Sequence, residues 1–236
     1  MSSKSYSGIV PRVPLEQQFN PLQVTFAEPK MTSGYLKVGL PQDIVDELRL
    51  KAEEARENET YHNSELAGNI KEEYLVDSSN FDSRFDLLLY DMCDAYEKNF
   101  RYMGDQYKPL NKPLPHELKE MWVNYQPKYE VNPPHTHSGI FAFVIWLQIP
   151  YDLEEEIKHV HRRHASLFGF LFPQGNRMTN EPLYVDKSWE GQMILFPSSQ
   201  FHYVNPFYTS DDYRISMSGN ICLDSTYDFK EESENK

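Results

Sequence analysis

The chain has 236 residues, enough for one large β-rich domain with a full hydrophobic core. Its net charge of −13 at pH 7 opposes binding to phosphate backbones and anionic lipid, so neither bulk nucleic acid nor a membrane surface is an expected partner. The two cysteines, Cys93 and Cys222, make no disulfide framework, and neither a signal peptide nor a membrane-spanning apolar run is evident. We therefore expect a soluble, cytoplasmic protein.

The N-terminal half is predicted to be partly irregular and partly helical. Residues 1–37 contain four prolines and are expected to be extended, with one strand-like segment at 22–28. Pro41 begins a predicted helix that runs to residue 58, with apolar residues at a spacing of four. A second helix is predicted over residues 83–102, where apolar residues form a stripe. Both helices are expected to pack on the outside of a sheet.

The pattern changes to short strands from about residue 120. Six aromatic or β-branched runs follow, divided by Pro, Gly, Asn and Asp, and this spacing is typical of a sandwich or barrel. The sequence thus predicts a mainly β protein with N-terminal helices, built on a jelly-roll barrel, or double-stranded β-helix. We expect a single domain over residues 1–236, with helical support at 1–119, the β core at 120–225 and an acidic tail at 226–236.

Two histidines stand directly before the longest apolar strand. His135 and His137 lie two residues apart in the segment Pro-Pro-His-Thr-His-Ser-Gly. Side chains two apart on a strand share a face, so both imidazoles could chelate one divalent cation. Such pairs also occur in loops that bind no metal.

A third histidine, His202, follows a later apolar strand that turns at Pro197. Alone it indicates little, because a single histidine beside apolar residues is more often a core or surface residue than a ligand.

The last strand carries an arginine in an alternating pattern. Arg214, Ser216 and Ser218 share one face, and Ile215 and Met217 share the other. If the polar face points into a closed barrel, the buried guanidinium needs an anion, and a ligand carboxylate fits its planar fork. The alternative is that Arg214 faces solvent or pairs with a nearby aspartate, Asp211 or Asp212.

Taken together, these motifs resemble the 2-oxoglutarate- and Fe(II)-dependent oxygenase superfamily. The segments HTHSG, GQMILFPSSQFHYVNP and YRISMSGN are similar to those of its 2OG-Fe(II) oxygenase family, related to prolyl hydroxylases, and a segment at residues 66–74 resembles phage-encoded members. The resemblance covers residues 120–222. It implies a dioxygenase that uses Fe(II), 2-oxoglutarate and O2 to hydroxylate a protein side chain, such as proline, or a small molecule, releasing succinate and CO2.

The resemblance also assigns roles to residues of this chain. It implies metal binding by His135, His137 and His202. Arg214 would bind the distal carboxylate of 2-oxoglutarate with help from Ser216. For the other end of the cosubstrate, position suggests the side chain of Asn124 or Tyr125.

One departure from the family pattern concerns the middle ligand. The common motif is His-x-Asp/Glu, which gives two histidines and one carboxylate, whereas this chain has His137 at the third position. The alternatives are a three-histidine zinc site, a cupin, or a non-catalytic jelly roll. The cupin pattern fails because Phe141 and Ala142 stand where a glutamate is expected, and a zinc site leaves Arg214 without a role.

Residues 152–164 contain three more histidines, but the run is charged throughout and favours a solvated connection over a second metal site.

Overall fold

The computed structural model describes residues 25–27, 34–62, 68–79, 81, 83–103, 114–160, 164–174 and 176–224. Most of the irregular N-terminal segment and the acidic tail at 226–236 lie outside these residues, so both remain predictions.

In the described residues, eleven strands form two antiparallel sheets, and they are named β1 to β11 in chain order. The large sheet has the order β1-β2-β9-β6-β11-β4-β3. Its strands are β1 Thr25–Ala27, β2 Tyr35–Gly39, β3 Glu73–Leu75, β4 His116–Gln126, β6 Phe141–Gln148, β9 Gln192–Pro197 and β11 Arg214–Leu223. The small sheet has the order β5-β10-β7-β8, with β5 Asn132–His135, β7 Phe168–Gln174, β8 Arg177–Leu183 and β10 His202–Val204.

Three α-helices accompany the sheets in this part of the chain. They are α1 Gln42–Glu57, α2 Ser83–Phe100 and α3 Leu153–Val160, and a short 3-10 turn covers Lys187–Trp189. The first two confirm the predicted helices. None of the described helices is both long and apolar enough to cross a membrane.

Two separate cores make the fold three layers deep. One core lies between the helices and one face of the large sheet, where Leu48 and Leu89 pack against Val123 and Met217. The other lies between the two sheets and is rich in aromatic side chains. Its fully buried members include Phe170, Phe172, Phe196 and Phe207. The large sheet therefore has one face covered by helices and the other covered by the small sheet.

Alternation along β11 decides which side chains face the space between the sheets. Met217 lies in the helix-side core, whereas Ser216 and Ser218 line a cavity on the opposite face. The neighbouring β4 has the same alternation, with Trp122 and Asn124 on the cavity side. The polar face of β11 thus points inward, as its sequence pattern required for a ligand-binding role.

Several predictions about the β region are confirmed and one is wrong. All six predicted runs contain strands, and the two sheets form a jelly roll with helical support. The barrel, however, does not close, because the edge strands of the two sheets are not paired to each other in the described residues. The sequence patterns also missed β2, β3, β5 and β8. These strands are short or polar: the burial pattern of β8, for example, has only one buried residue.

The charged segment after Tyr151 is a second correction. Instead of a fully solvated connection it forms α3, and Glu156 on that helix is completely buried. His159 lies on α3 and His164 is exposed, while His161 is outside the described residues. No further metal-binding cluster of His, Cys, Asp or Glu is found in the described ranges beyond the three histidines discussed below.

Gly139 fixes the turn between the two histidines and β6. Its φ of +89° is in the region that glycine adopts easily, and a Cβ there would lie 2.6 Å from the carbonyl oxygen of Ile221. The backbone of Ile221 cannot move away without breaking its hydrogen bond with the Ile140 amide. Gly139 is therefore required by both conformation and space.

We expect Gly139→Ala to lower the free energy of unfolding by about 1–3 kcal/mol, because the new side chain is strained and meets backbone. Denaturant titration measures this. Gly39→Ala serves as the control, because a Cβ at Gly39 meets only the flexible side chain of Gln192. Equal stabilities for the two variants would contradict this account of the turn.

Candidate metal centre

Two histidines from distant parts of the sequence meet as a cross-strand pair. In the antiparallel pairing of β5 with β10, His135 is the register partner of His202. Directly opposed residues on antiparallel strands have their Cβ atoms about 5 Å apart, so the two rings share one face. β5 is an edge strand, which explains how it tolerates Pro133 and Pro134, since neither can donate to a second neighbour.

His137 completes the group just beyond the end of β5. Its backbone N–H donates to the carbonyl oxygen of Ser198, 2.8 Å away, and its ring packs against Trp122 with centroids 5.4 Å apart. One ligand nitrogen from each of the three histidines lies within 4.8 Å of the others. The structure therefore brings together the three residues that the sequence named.

The hydrogen bonds of two of the rings leave their Nε2 atoms free to bind a metal. Nδ1 of His135 lies 2.7 Å from the Pro133 carbonyl oxygen, and Nδ1 of His202 lies 3.0 Å from the Gln200 carbonyl oxygen. A carbonyl only accepts, so both Nδ1 atoms carry the proton and both Nε2 atoms hold a free electron pair. Nε2 of His137 lies 3.1 Å from Nε2 of His202. Ligands at right angles around a metal, with bonds of about 2.1 Å, would be separated by about 3 Å.

Burial keeps the three imidazoles uncharged. Desolvation lowers the pKa of His135, and desolvation together with His135 lowers the pKa of His137 to about 3. His202 is only 3% exposed, and burial among aromatic rings, added to the two neighbouring imidazoles, takes its pKa well below the usual value. Neutral imidazole is the form that binds a metal.

A cavity extends inward from the histidines between the two sheets. It encloses about 430 Å³, including space open to solvent, and its walls include Asn124, Gln126 and Ser216. Oδ1 of Asn124 is buried there without a hydrogen-bond partner, while its Nδ2 lies 3.4 Å from both the carbonyl and the hydroxyl oxygen of Ser216. These polar groups can orient a ligand that enters beside the histidines.

Arg214 lies beyond Gln126 and is 2% exposed. Its Nε and Nη2 donate to Oε1 of Gln126 over 3.1 and 2.7 Å. The remaining donors reach the Tyr151 hydroxyl at 3.2 Å, the Ser166 carbonyl at 3.0 Å and the Asn205 carbonyl at 2.7 Å. All five N–H groups are thus used, every one of them on a neutral acceptor.

This arrangement differs from both alternatives for Arg214. The guanidinium neither faces solvent nor pairs with Asp211, which instead contacts Lys128 at 2.5 Å. No carboxylate within the described residues forms an ion pair with Arg214. The nearest acidic link is indirect: Ser166 accepts from Arg214 through its carbonyl and donates its hydroxyl to Glu156 over 3.0 Å. A buried guanidinium that contacts only neutral acceptors is stabilised further when an anion binds beside it.

Asn124 and Tyr125 were suggested for the end of the cosubstrate that Arg214 does not bind. Because side chains alternate along β4, these two residues point to opposite faces of the large sheet. Asn124 lines the cavity, but Tyr125 points to the opposite face of the large sheet. There Tyr125 packs edge-on to Tyr74 and lies under the guanidinium of Arg56, whose Cζ is 4.5 Å from the ring centroid. Tyr125 is therefore corrected to a core residue.

Three further residues line the two cavities beside the histidines and were not predicted: Trp122, Gln126 and Asn220. The first two follow from β4, since residues two apart from Asn124 share its face. Asn220 follows in the same way from Ser216 and Ser218 on β11.

Comparisons with known proteins agree with this geometry. Residues 120–220, the segment from β4 to β11, match the family model described as "Putative 2OG-Fe(II) oxygenase". Through this segment, which is less than half of the chain, the protein is similar to the 2OG-Fe(II) oxygenase family. The search among curated proteins found no match.

One solved oxygenase structure shares the fold at low sequence identity, and two others are similar at lower TM-scores. A prolyl-4-hydroxylase from Pseudomonas putida is 14% identical with a TM-score of 0.53, over 81% of this chain and 94% of that one. A Trichoplax adhaerens prolyl hydroxylase in complex with a hypoxia inducible factor peptide is 13% identical with a TM-score of 0.47, over 80% and 84%. HygX from Streptomyces hygroscopicus, with nickel, 2-oxoglutarate and hygromycin B bound, is 12% identical with a TM-score of 0.45, over 82% and 84%.

The family uses Fe(II), 2-oxoglutarate and O2, and the residues of this oxygenase fit the first two. Three neutral imidazoles whose ring nitrogens converge suit a divalent transition metal. The buried guanidinium and the unpartnered Asn124 Oδ1 suit an anionic ligand that also carries polar groups. The chain is accordingly an enzyme of the 2-oxoglutarate/Fe(II)-dependent class.

An outer cleft opens on the other side of the histidines. It encloses about 720 Å³, including space open to solvent, and Glu73, Glu120 and Asn132 contribute to its walls. Glu73 is 1% exposed, and desolvation with the nearby charge of Glu130 raises its pKa from 4.5 to about 7. This oxygenase therefore carries a buried carboxyl group that holds its proton close to neutral pH.

The raised pKa of Glu73 predicts a specific pH dependence of stability. Between about pH 4.5 and 7 the folded chain keeps a proton that the unfolded chain releases, so Glu73 lowers the free energy of unfolding progressively as the pH rises. Glu73→Gln removes this contribution. We expect the stability of Glu73→Gln relative to the parent to increase by up to about 3 kcal/mol between pH 5 and 8. Urea titrations at both pH values test this, and a constant difference would contradict the prediction.

Proposed function

We propose that this oxygenase hydroxylates a C–H bond of its substrate and converts 2-oxoglutarate and O2 to succinate and CO2. One oxygen atom of O2 enters succinate and the other enters the new hydroxyl group, so the two substrates and O2 balance without another reductant. The observation that carries the proposal is the convergence of three neutral histidines beside a cavity backed by the buried Arg214.

His135, His137 and His202 would hold the metal through Nε2. Bound Fe(II), together with 2-oxoglutarate and O2, supplies the oxidising chemistry. The chain fixes the ligands in advance, because carbonyl acceptors orient two of the rings and Phe168 stacks against His202 with centroids 5.5 Å apart. Three protein ligands leave room for the cosubstrate and O2.

Arg214 would bind the distal carboxylate of 2-oxoglutarate. The side of the guanidinium formed by Nε and Nη2 has the geometry that a carboxylate takes bidentately, and Gln126 Oε1 now accepts both of its bonds. A charged carboxylate is a stronger acceptor than an amide, so it can replace Gln126 there. Ser216 and Asn124 line the path from this position to the histidines and would orient the rest of the cosubstrate.

The substrate would enter through the outer cleft, which His135 and His137 also line. Since the fold is shared with a prolyl-4-hydroxylase, a protein side chain such as proline is one candidate. A small molecule is the other, and the fold does not distinguish them.

Anaerobic titration with Fe(II) and 2-oxoglutarate tests the proposal. We expect a weak visible charge-transfer band in the parent, because the bound cosubstrate would chelate the metal. His202→Ala should lose the band, and Arg214→Lys should need at least about tenfold more 2-oxoglutarate, since lysine keeps the charge but lacks the fork.

Arg84→Ala is the control for this titration, because Arg84 forms an ion pair with Asp43 on the helix side of the molecule. Thermal unfolding of each variant shows whether it is folded. A parent that gives no band and binds zinc tightly instead would overturn the oxygenase activity proposed here.

Gln126→Glu tests the position of the cosubstrate carboxylate more directly. The new carboxylate would lie on the Arg214 fork permanently and exclude 2-oxoglutarate, so its affinity should fall at least about tenfold. Metal binding should be unchanged, because Gln126 is not a ligand. Unchanged 2-oxoglutarate affinity in a folded Gln126→Glu variant would exclude Arg214 as the anchor.

A further inference from the structure

The outer cleft has a consistent electrostatic character. Among the described residues that line it, Glu73 and Glu120 carry carboxyl groups, of which Glu73 holds its proton close to neutral pH, and none is lysine or arginine. Glu120 is the more accessible of the two, with its side chain 32% exposed. A cleft of this composition attracts cations and repels anions.

Asn220 adds a buried acceptor that points to a ligand. It lines the cleft, is only 3% exposed, and its Oδ1 has no hydrogen-bond partner. The orientation of the amide is fixed, because Nδ2 donates to Glu120 Oε1 over 2.7 Å and to Ser138 Oγ over 3.3 Å. A carboxylate cannot donate, so the oxygen of the amide must point away from Glu120. Oδ1 thus needs a donor that these neighbours do not provide.

Trp122 connects this acidic end of the cleft to the metal centre. It stands two residues from Glu120 on the same strand, about 7 Å along it, and its ring contacts that of His137. The indole gives the cleft an apolar wall between Glu120 and the histidines. A chain of methylene groups could lie along this wall.

We propose that the substrate carries an ammonium group, which binds to Glu120 and to Oδ1 of Asn220 while a carbon several bonds away lies at the histidines. This inference rests on the proposed function for the reaction at that carbon. An ammonium group supplies positive charge for the carboxylate and N–H donors for the amide oxygen. The group can belong to a small amine or to a lysine side chain of a protein, because both present the same chemistry.

Calorimetric titration of the full chain, with and without added Zn(II), tests the inference without relying on catalysis. The small probes are butylammonium, butanol and butyrate, which share one chain and differ in charge. We expect butylammonium to bind at least about tenfold more tightly than butanol, and butyrate to bind more weakly than either. Equal affinities for butylammonium and butanol would overturn the proposal.

Glu120→Gln is the decisive variant, because it removes the charge and keeps an acceptor for Asn220. It should weaken butylammonium binding about fivefold and leave butanol unaffected. Glu117→Gln is the matched control, since Glu117 lies on the same strand, is exposed and does not line the cleft. Equal effects of the two substitutions would contradict a role for Glu120.

Blocked tripeptides with a central lysine or norleucine distinguish the two sources of the ammonium group. A lysine peptide that binds more tightly than butylammonium indicates a protein substrate, and the reverse order indicates a small amine. If neither cation is preferred while the Fe(II)–2-oxoglutarate band is normal, only this inference fails. If the band is missing while the cation preference persists, only the proposed reaction fails.

Discussion

The candidate metal centre depends on the register between two short strands, β5 and β10. This register places His135 opposite His202, and a slip by one residue would turn one ring to the other side of the sheet. β10 is held on its other side by β7, where His202 pairs with Phe170. Phe170 and Phe196 belong to the aromatic core between the sheets. The packing of that core thus fixes the ligand geometry, and this explains why a site can form on an edge strand that contains two prolines.

The charges of the residues around the site are compatible with three histidine ligands and no carboxylate ligand. Three neutral imidazoles leave a divalent metal uncompensated, and dianionic 2-oxoglutarate would balance it. The buried guanidinium of Arg214 then remains as an excess positive charge. Two acidic groups lie near this region: Glu156 is linked to Arg214 through Ser166, and Glu120 lines the outer cleft. The acidic character of the chain is therefore arranged where it can offset a centre that is one charge more positive than the common family site.

Much of this site could be predicted from the sequence because successive side chains of a strand point to opposite faces of the sheet. The spacing of His135 and His137, and the pattern from Arg214 to Ser218, each place a set of side chains on one face. Alternation does not say which face is inward, so Asn124 and Tyr125 could not be separated until the pairing of β4 was known. Contacts between distant segments were also beyond the sequence. Gln126 meets Arg214 because the two residues are register partners in the pairing of β4 with β11, and the burial of Glu156 depends on how α3 and the loop before β11 pack.

The fold was predicted best where local patterns are strong, as in α1, α2 and the long apolar strand β6. It was predicted least well at the sheet edges, where β3, β5 and β8 are held by pairing with neighbours and not by their own apolar character. The open arrangement of the two sheets could not be predicted either, because it also depends on the edge strands. Closure depends on edge pairing, and the strands at these edges carry no sequence pattern that would reveal it. The division of the chain into a supporting segment at 1–119 and a core segment at 120–225 stays a prediction. Two strands of the first segment, β2 and β3, lie in the same sheet as β4 and β11.

The most direct test of the account is a crystal structure of the Fe(II)-loaded oxygenase, with the metal located by anomalous scattering at the iron edge. We expect one iron within about 2.2 Å of Nε2 of His135, His137 and His202, with no carboxylate of the chain bound to it. An iron bound by Glu73 or Glu120, or by fewer than three of these histidines, would contradict it.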